Sequence, residues 1–348
     1  MIIYYASQSF YPHIGGVPTY LLNLGREMVK KDNKVVEVHL RPPKTEAEDN
    51  IEGIEVRRVP RDPINKEIME KYSLFKETIY TLCHYEIPFD KKNYYDIEGF
   101  EEFNKVNEFF GEELKSLLEE NPAEVVHIHD FQLLFTYKFV PRGMPLILTW
   151  HIPFPKSLPE TVKDFLISNF KEYDSVIFSS PEYIEAAVEA GLPEEKCKLI
   201  HPIANTESFR KLDADRKEIF EKYGIPEGKV ILCVQRIDPK SGHEQLMRAM
   251  PEIIKKVPDA KLVFVGKASM SNKFSESRKK LAEKIYSLVD ELEIQDNVKF
   301  VENIDYNEIP LVYNCADMVT LCSKNEGFGL SITEAMACGN AIVGTKTG

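Results

Sequence analysis

Residues 230–265, VILCVQRIDPKSGHEQLMRAMPEIIKKVPDAKLVFV, decide the fold. An apolar run, Val230–Val234, precedes a helical pattern, Gly242–Lys256, and a second apolar run follows at Lys261–Val265. Runs that are apolar nearly throughout suit strands covered on both faces. A helix between two such strands is a crossover, which joins parallel neighbours with a right-handed turn. The same alternation extends in both directions. Upstream it predicts strands at Ile2–Ala6, Val35–Leu40, Ile54–Val59, Val125–His129, Leu146–Trp150, Ser175–Ser179 and Cys197–His201. Downstream it predicts Val298–Val301, Met318–Cys322 and Ala341–Gly344, with helices at Thr19–Lys31 and Glu276–Leu292 among those between. The class is α/β, with doubly wound parallel sheets.

The 348 residues are too many for one ordinary domain and suit two of about 150 each. The alternation relaxes near Pro202–Asp215, so the expected domains are 1–205 and 206–348. Two such domains place a ligand at the carboxyl ends of their strands, in a cleft between them. Residues 61–112 are rich in Tyr, Phe, Glu and Lys and contain no strand pattern. They are expected to be helical, a cap over the first domain, with the aromatics in its core. No internal repeat is evident.

No apolar run approaches the roughly 18 residues that span a bilayer. The N-terminus opens directly on a strand, without a charged segment and cleavage site, so a cytoplasmic location is expected and membrane association is not indicated. The net charge of −12 sets nucleic-acid binding aside but leaves a phosphate-bearing small molecule open, because helix N-termini bind phosphate whatever the net charge. The six cysteines are scattered without a CxxC pair, which argues against a disulfide framework or zinc knuckle.

The strongest chemical signal is Glu326-Gly327-Phe328-Gly329-Leu330-Ser331-Ile332-Thr333-Glu334. Two carboxylates stand eight positions apart around a glycine-flanked turn that opens a helix. Glycine lets ligand oxygens approach the backbone, and the free N–H groups of the helix start suit an anion. Glu334, about one turn in, can accept from ribose hydroxyls, and Glu326, in the loop, from sugar hydroxyls. The plainer reading is a tight turn with an acidic helix start, which the macrodipole favours by only roughly 0.3–1 kcal/mol.

In this setting, EGFGLSITEAMACGNAIVG, the chain closely resembles the retaining glycosyltransferases of family 4, which have the two-domain GT-B fold. The resemblance implies a nucleotide-diphosphate sugar as donor substrate, no separate cofactor, no metal, and a sugar or other hydroxyl acceptor. Gly15-Gly16, after the first strand, looks like the glycine pair that closes on the donor diphosphate. His129-Asp130 is similar to the family's acceptor-side stretch, and His151 resembles the strand-end histidine beside the donor sugar. Pro202–Phe209 (PIANTESF) looks like the interdomain segment, with Ala204 and Asn205 at positions where the family differs. Arg236 matches the diphosphate-contacting arginine, whose planar fork suits phosphate oxygens. The chain departs from the pattern twice. Lys240 stands one position earlier than the family's lysine, with Ser241 in the usual place, and is carried over as a diphosphate contact. The chain also ends at Gly348, just past a strand, where members continue, so the architecture is expected to be truncated.

Among the other polar residues, His127 and His129 alternate along one strand and share a face. A cleft histidine and an acceptor contact are favoured over metal ligands. His201 and His243 have no supporting cluster. Gly15-Gly16 is not a GxGxxG fingerprint, which argues against a dinucleotide cofactor. The segments HDFQLL (129–134) and FSSPEYI (178–184) resemble archaeal-type trehalose glycosyltransferring synthases and trehalose phosphorylases of the same family. The expected function is metal-independent hexosyl transfer with retention, with Glu326, Arg236 and His151 in catalytic roles. Gly15, Gly16, Asp130, Lys240, Gly327, Phe328, Gly329, Leu330 and Glu334 are the expected substrate-binding positions. The alternatives are a sugar phosphorylase, a sugar-nucleotide epimerase, or a noncatalytic nucleotide-sugar- or carbohydrate-binding protein. The oligomeric state is open.

Overall fold

The apolar runs pair as parallel strands in two sheets of a computed structural model, which describes residues 1–11, 15–60, 64–266, 275–302 and 304–347, without the side chains of 275–279. The chain divides into two units, Met1–Ile203 and Ala204–Gly348.

The first unit holds β1 (Ile2–Ser7), β2 (Lys34–Leu40), β3 (Glu48–Ile51), β4 (Ile54–Val59), β5 (Val125–His129), β6 (Leu146–Thr149), β7 (Ser175–Phe178) and β8 (Cys197–Leu199), in the order β3-β4-β2-β1-β5-β6-β7-β8. All neighbours are parallel except β3 and β4. β3 departs from the expected pattern. Its sequence, Glu-Asp-Asn-Ile, is too polar to read as a strand, and it forms an edge hairpin with β4 through Glu52 and Gly53, both at positive φ (56° and 88°). That left-handed pair is the backbone a two-residue hairpin demands. Ion pairs from Glu48 to Arg57 and from Asp49 to Arg58 tie the edge down.

Register places Tyr5 opposite both Glu37 and His127. Because side chains alternate along a strand, Tyr5, Ser7, Glu37, His39, His127 and His129 share one face. Tyr4, Ala6, Val36, Val38, Val126 and Ile128 share the other, in the main core. The polar face lies on the side of α1 (Gly16–Lys30), whose Tyr20 and Leu21 pack with Tyr5 and Phe10.

The aromatic segment forms α2 (Lys66–His84) and α3 (Phe100–Glu120); residues 61–63 lie outside the described residues. Tyr72, Phe75 and Phe103 are fully buried, with Phe75 and Phe103 ring centroids 4.6 Å apart. These aromatics are core, each burial contributing roughly 1.5–3 kcal/mol. α4 (Glu160–Phe170) and α5 (Pro181–Glu189) complete this unit.

The second unit starts with α6 (Arg216–Tyr223), capped by Asp215, whose carboxylate accepts from the Lys217 and Glu218 amides. Its sheet is wholly parallel: β9 (Lys229–Val234), β10 (Ala260–Val265), β11 (Val298–Val301), β12 (Met318–Leu321) and β13 (Ala341–Gly344), ordered β11-β10-β9-β12-β13. Between them lie α7 (His243–Lys256), α8 (Ser275–Glu291), α9 (Ile309–Cys315) and α10 (Leu330–Ala337). α7 buries Leu246, Met247 and Met250, three and four residues apart, the spacing of one helix face. Its N-cap, Gly242, has φ 69°, and a Cβ there would stand 2.0 Å from the Cys322 carbonyl oxygen, so only glycine fits.

The cysteines are free thiols. Among the described residues no helix is long and apolar enough to cross a membrane, and no group of three or more His, Cys, Asp or Glu side chains could hold a metal ion.

Candidate functional site

In the second unit the chemistry-bearing residues gather at the carboxyl ends of β9 and β12. β9 delivers Gln235 and Arg236, and β12 delivers Ser323 and Glu326 through the loop that leads into α10. Gly329 caps α10 with φ 90°, and a Cβ there would lie 2.9 Å from Leu321 Cδ2. The left-handed cap leaves the first amides of the helix without a side-chain partner from its N-cap. Gly327 is buried, Phe328 half-buried, and Leu330 is the first helical residue.

Glu326 does not wait in open solvent. Its Oε1 accepts from Gln235 Nε2 (2.8 Å) and Ser323 Oγ (2.8 Å), and its Oε2 accepts from Lys240 Nζ (3.1 Å). The Lys240 and Glu326 side chains are 11% and 15% exposed, so this ion pair is largely shielded from water. Lys240, expected at the diphosphate, here neutralises Glu326. The one-position offset in sequence thus has a structural counterpart. Arg236 is exposed, and its guanidinium has no ion pair or hydrogen bond among the described residues, while its carbonyl accepts from Ser241 Oγ (2.9 Å). Ser241 at the expected lysine position therefore closes the loop.

Glu334 sits one turn into α10 and is 8% exposed. The phenols of Tyr306 (3.2 Å) and Tyr313 (3.5 Å) donate to its two oxygens. Burial pushes its carboxyl up to about 7, against the opposing pull of those hydroxyls. Eight residues apart in sequence, the two glutamates thus have different surroundings: Glu326 is held by a lysine and two neutral donors, Glu334 by two phenols in an apolar setting.

In the first unit the polar face beneath α1 carries His127, His129 and His151, and Asp130 follows at the carboxyl end of β5. His129 Nδ1 and His151 Nε2 are 3.2 Å apart, and His127 Nε2 is 2.7 Å from Thr149 Oγ1. The Tyr20 ring packs edge-on against His151 at 5.0 Å. Burial pushes His127 and His151 down to about 3, and His129 is lowered by burial and by the other two rings. All three are neutral near pH 7, so they act as hydrogen-bonding groups rather than as cations. Asp130 has φ 69°, uncommon for a residue with a Cβ, and its Oδ1 accepts from the His151 amide (3.2 Å). Burial raises its carboxyl to about 7.

Gly15 is the N-cap of α1 and Gly16 its first residue. A Cβ on Gly15 would meet only Pro18 Cδ at 3.8 Å, and one on Gly16 nothing within 4 Å. Neither is required to be glycine by packing among the described residues; 12–14 lie outside them. His201 donates from Nδ1 to the Ser179 carbonyl (2.8 Å), an ordinary structural role. His243 is buried and stacked on Phe264 at 4.7 Å. The Asp213-Ala214-Asp215 run has the spacing of a metal-binding pair, but Asp215 serves as the α6 cap. Gln235, Ser323, Tyr306 and Tyr313 were not singled out by sequence. The first two are chain neighbours of Arg236 and Glu326, which is the signal that could have found them. The tyrosines stand 28 and 21 positions before Glu334, with no local mark.

Residues 215–348 match the family described as Glycosyl transferases group 1, and residues 21–190 match Glycosyltransferase family 20. Mannosylfructose-phosphate synthase of Agrobacterium fabrum is 26% identical over 353 residues, 96% of this chain and 72% of that protein. The GDP-mannose-dependent alpha-(1-6)-phosphatidylinositol monomannoside mannosyltransferase of Mycolicibacterium smegmatis is 27% identical over 163 residues, 45% of this chain and only 40% of that protein. Among solved structures, Anabaena Alr3699/HepE in complex with UDP-glucose superposes with a TM-score of 0.69 at 18% identity, covering 100% of this chain and 81% of that one. The chain has the two Rossmann-like sheets of the GT-B architecture and carries glycosyltransferase signatures in both of its units.

Proposed function

We propose that the chain transfers a hexosyl group from a nucleotide-diphosphate sugar to an acceptor hydroxyl, with retention of anomeric configuration and without a metal ion, in the manner of family 4. The observation that carries this reading is the pair Glu326 and Glu334, set on either side of the α10 start and held by different partners. Arg236, unpaired among the described residues, and the helix start at the Gly329 cap supply positive potential for a diphosphate. Glu334 accepts from the ribose hydroxyls, and Glu326 from the sugar. The relatives act on, or are solved with, nucleotide sugars or sugar phosphates by their names, which favours a sugar acceptor.

In the reaction, the bond between the anomeric carbon and the phosphate oxygen breaks as the acceptor oxygen bonds to the same face of that carbon. The departing phosphate oxygen takes the acceptor's proton. Fixed dipoles and Arg236 stabilise the leaving diphosphate without reorganising. In the first unit, taken by itself, the Gly16 amide suits a phosphate oxygen, the neutral His151 suits one hydrogen bond to a sugar hydroxyl, and Asp130 suits an acceptor hydroxyl.

The test is donor binding. Arg236→Ala and Glu334→Ala should each weaken nucleoside diphosphate affinity at least tenfold, about 1.4 kcal/mol, by calorimetry. Unchanged affinity in both variants would remove the site. Enzyme dialysed against a chelator should keep its turnover, since Arg236 and the helix start replace a divalent cation. Loss of activity that magnesium or manganese restores would overturn this part.

A further inference from the structure

Glu326 is gripped from two stretches of chain, the loop after β9 and its own loop after β12, and the grip closes on one uncharged side chain. Gln235 stands just past β9, its amide N–H still paired to the Val265 carbonyl (2.9 Å). Its side-chain nitrogen carries two protons and has two acceptors in reach, Ser323 Oγ at 2.6 Å and Glu326 Oε1 at 2.8 Å. Ser323, fully buried, accepts from Gln235 and passes its own proton to the same Glu326 oxygen (2.8 Å). The three groups close a ring in which every proton is used once. Lys240 holds the other carboxylate oxygen.

The far side of the amide shows what sets its orientation. Gln235 Oε1 is buried with no hydrogen-bond partner among the described residues. An unsatisfied buried carbonyl is unfavourable, and rotating the amide would instead turn that oxygen towards the Glu326 carboxylate. The orientation is therefore dictated by Glu326. No hydrocarbon could replace the two donors, and a carboxyl could supply one of them, only while protonated.

Resting on the donor-sugar reading above, we propose that Gln235 is the positioning residue of the Glu326 carboxylate, fixing through Ser323 the one orientation in which Glu326 meets the donor sugar. Lys240 supplies charge, and Gln235 supplies direction. A directional grip from a neutral amide persists at every pH and survives if Lys240 turns to the diphosphate when the donor binds.

Two variants of the full chain test this. Gln235→Met keeps the length and removes both donors. Turnover should fall tenfold or more at every pH between 5 and 8, with nucleoside diphosphate affinity within threefold of the original. Gln235→Glu should retain most turnover at pH 5, where a shared proton bridges the two carboxyls, and lose it progressively towards pH 8 as like charges face each other. A merely structural position would give both variants the same loss at all pH values. Wild-type turnover in both variants, or a flat pH response of Gln235→Glu, overturns the proposal. Thermal unfolding without substrate provides an activity-free reading: the Gln235→Glu midpoint should drop relative to wild type as pH rises, and a constant difference also overturns it. A falling midpoint together with a wild-type chain that binds no nucleotide sugar would instead keep the Gln235–Glu326 grip and sink the donor-sugar reading.

Discussion

Glu37→Gln is expected to stabilise the first unit, and to do so increasingly as pH rises. Glu37 is fully buried on the polar face under α1, beside Tyr5 and Ser7, with His39 two residues further along β2. Burial holds its carboxyl well above the ordinary glutamate range, and only the Ser7 hydroxyl opposes this. The hydrogen bonds agree with a neutral acid. Ser7 Oγ lies 2.6 Å from Glu37 Oε1 and 3.0 Å from the Ser9 carbonyl, and its single proton cannot serve both. A protonated Glu37 resolves the conflict by donating to Ser7, which donates onward to Ser9. Glutamine's N–H donates in the same place with the same volume. The folded-state value is raised above the unfolded one, so the stability Glu37 contributes is fully present below the unfolded value, near 4.3, and is lost as pH climbs. The amide does not titrate and escapes that loss. The difference between variant and wild type should grow between pH 5 and pH 8, by at most about 1.4 kcal/mol per pH unit. At roughly 2–4 °C per kcal/mol for a unit of this size, thermal scans at the two pH values resolve it. A pH-independent difference would mean that Glu37 is ionised in the folded protein.

Such a buried polar row explains how far the sequence could be read. Strands such as Val230–Val234 and Leu146–Thr149 were legible because both faces are covered, and the apolar run reports that directly. β3 was not, because an edge strand with ion-paired side chains carries no apolar signal, and only the turn at Glu52-Gly53 marks it. The alternation of His127 and His129 gave their shared face. Their neutrality depends on the lateral register of β1, β5 and β6 and on Tyr20 from α1, which no local pattern encodes. The same holds for Glu334. Its spacing from Glu326 was visible, but the two phenols that share its pocket come from segments 21 and 28 residues earlier. Lys240 shows another limit: the motif carries it over as a diphosphate contact, and nothing local in the sequence marks its ion pair with Glu326.

That placement sharpens the last expectation, that Glu326→Gln strikes the chemical step and spares nucleotide binding. On the proposed reading the Glu326 carboxylate receives a sugar hydroxyl, and an oxocarbenium-like sugar gains positive charge only as the diphosphate departs. An interaction that strengthens along that path is lost from kcat, whereas uniform binding is lost from KM. Turnover at saturating donor should therefore fall tenfold to a hundredfold, about 1.4–2.7 kcal/mol of barrier. The nucleoside diphosphate lacks the sugar, and its affinity should stay within about threefold, under roughly 0.7 kcal/mol. The released Lys240, only 11% exposed, would be left as a shielded cation without its counter-charge, a costly state that an incoming diphosphate relieves. Any change in nucleoside diphosphate affinity should accordingly be a gain. Paired calorimetry and initial rates decide the matter. Full turnover in Glu326→Gln, or a loss of nucleotide affinity as large as that of Glu334→Ala, would mean that the two glutamates do not divide sugar and ribose between them, and that the ion pair with Lys240 only shapes the loop before α10.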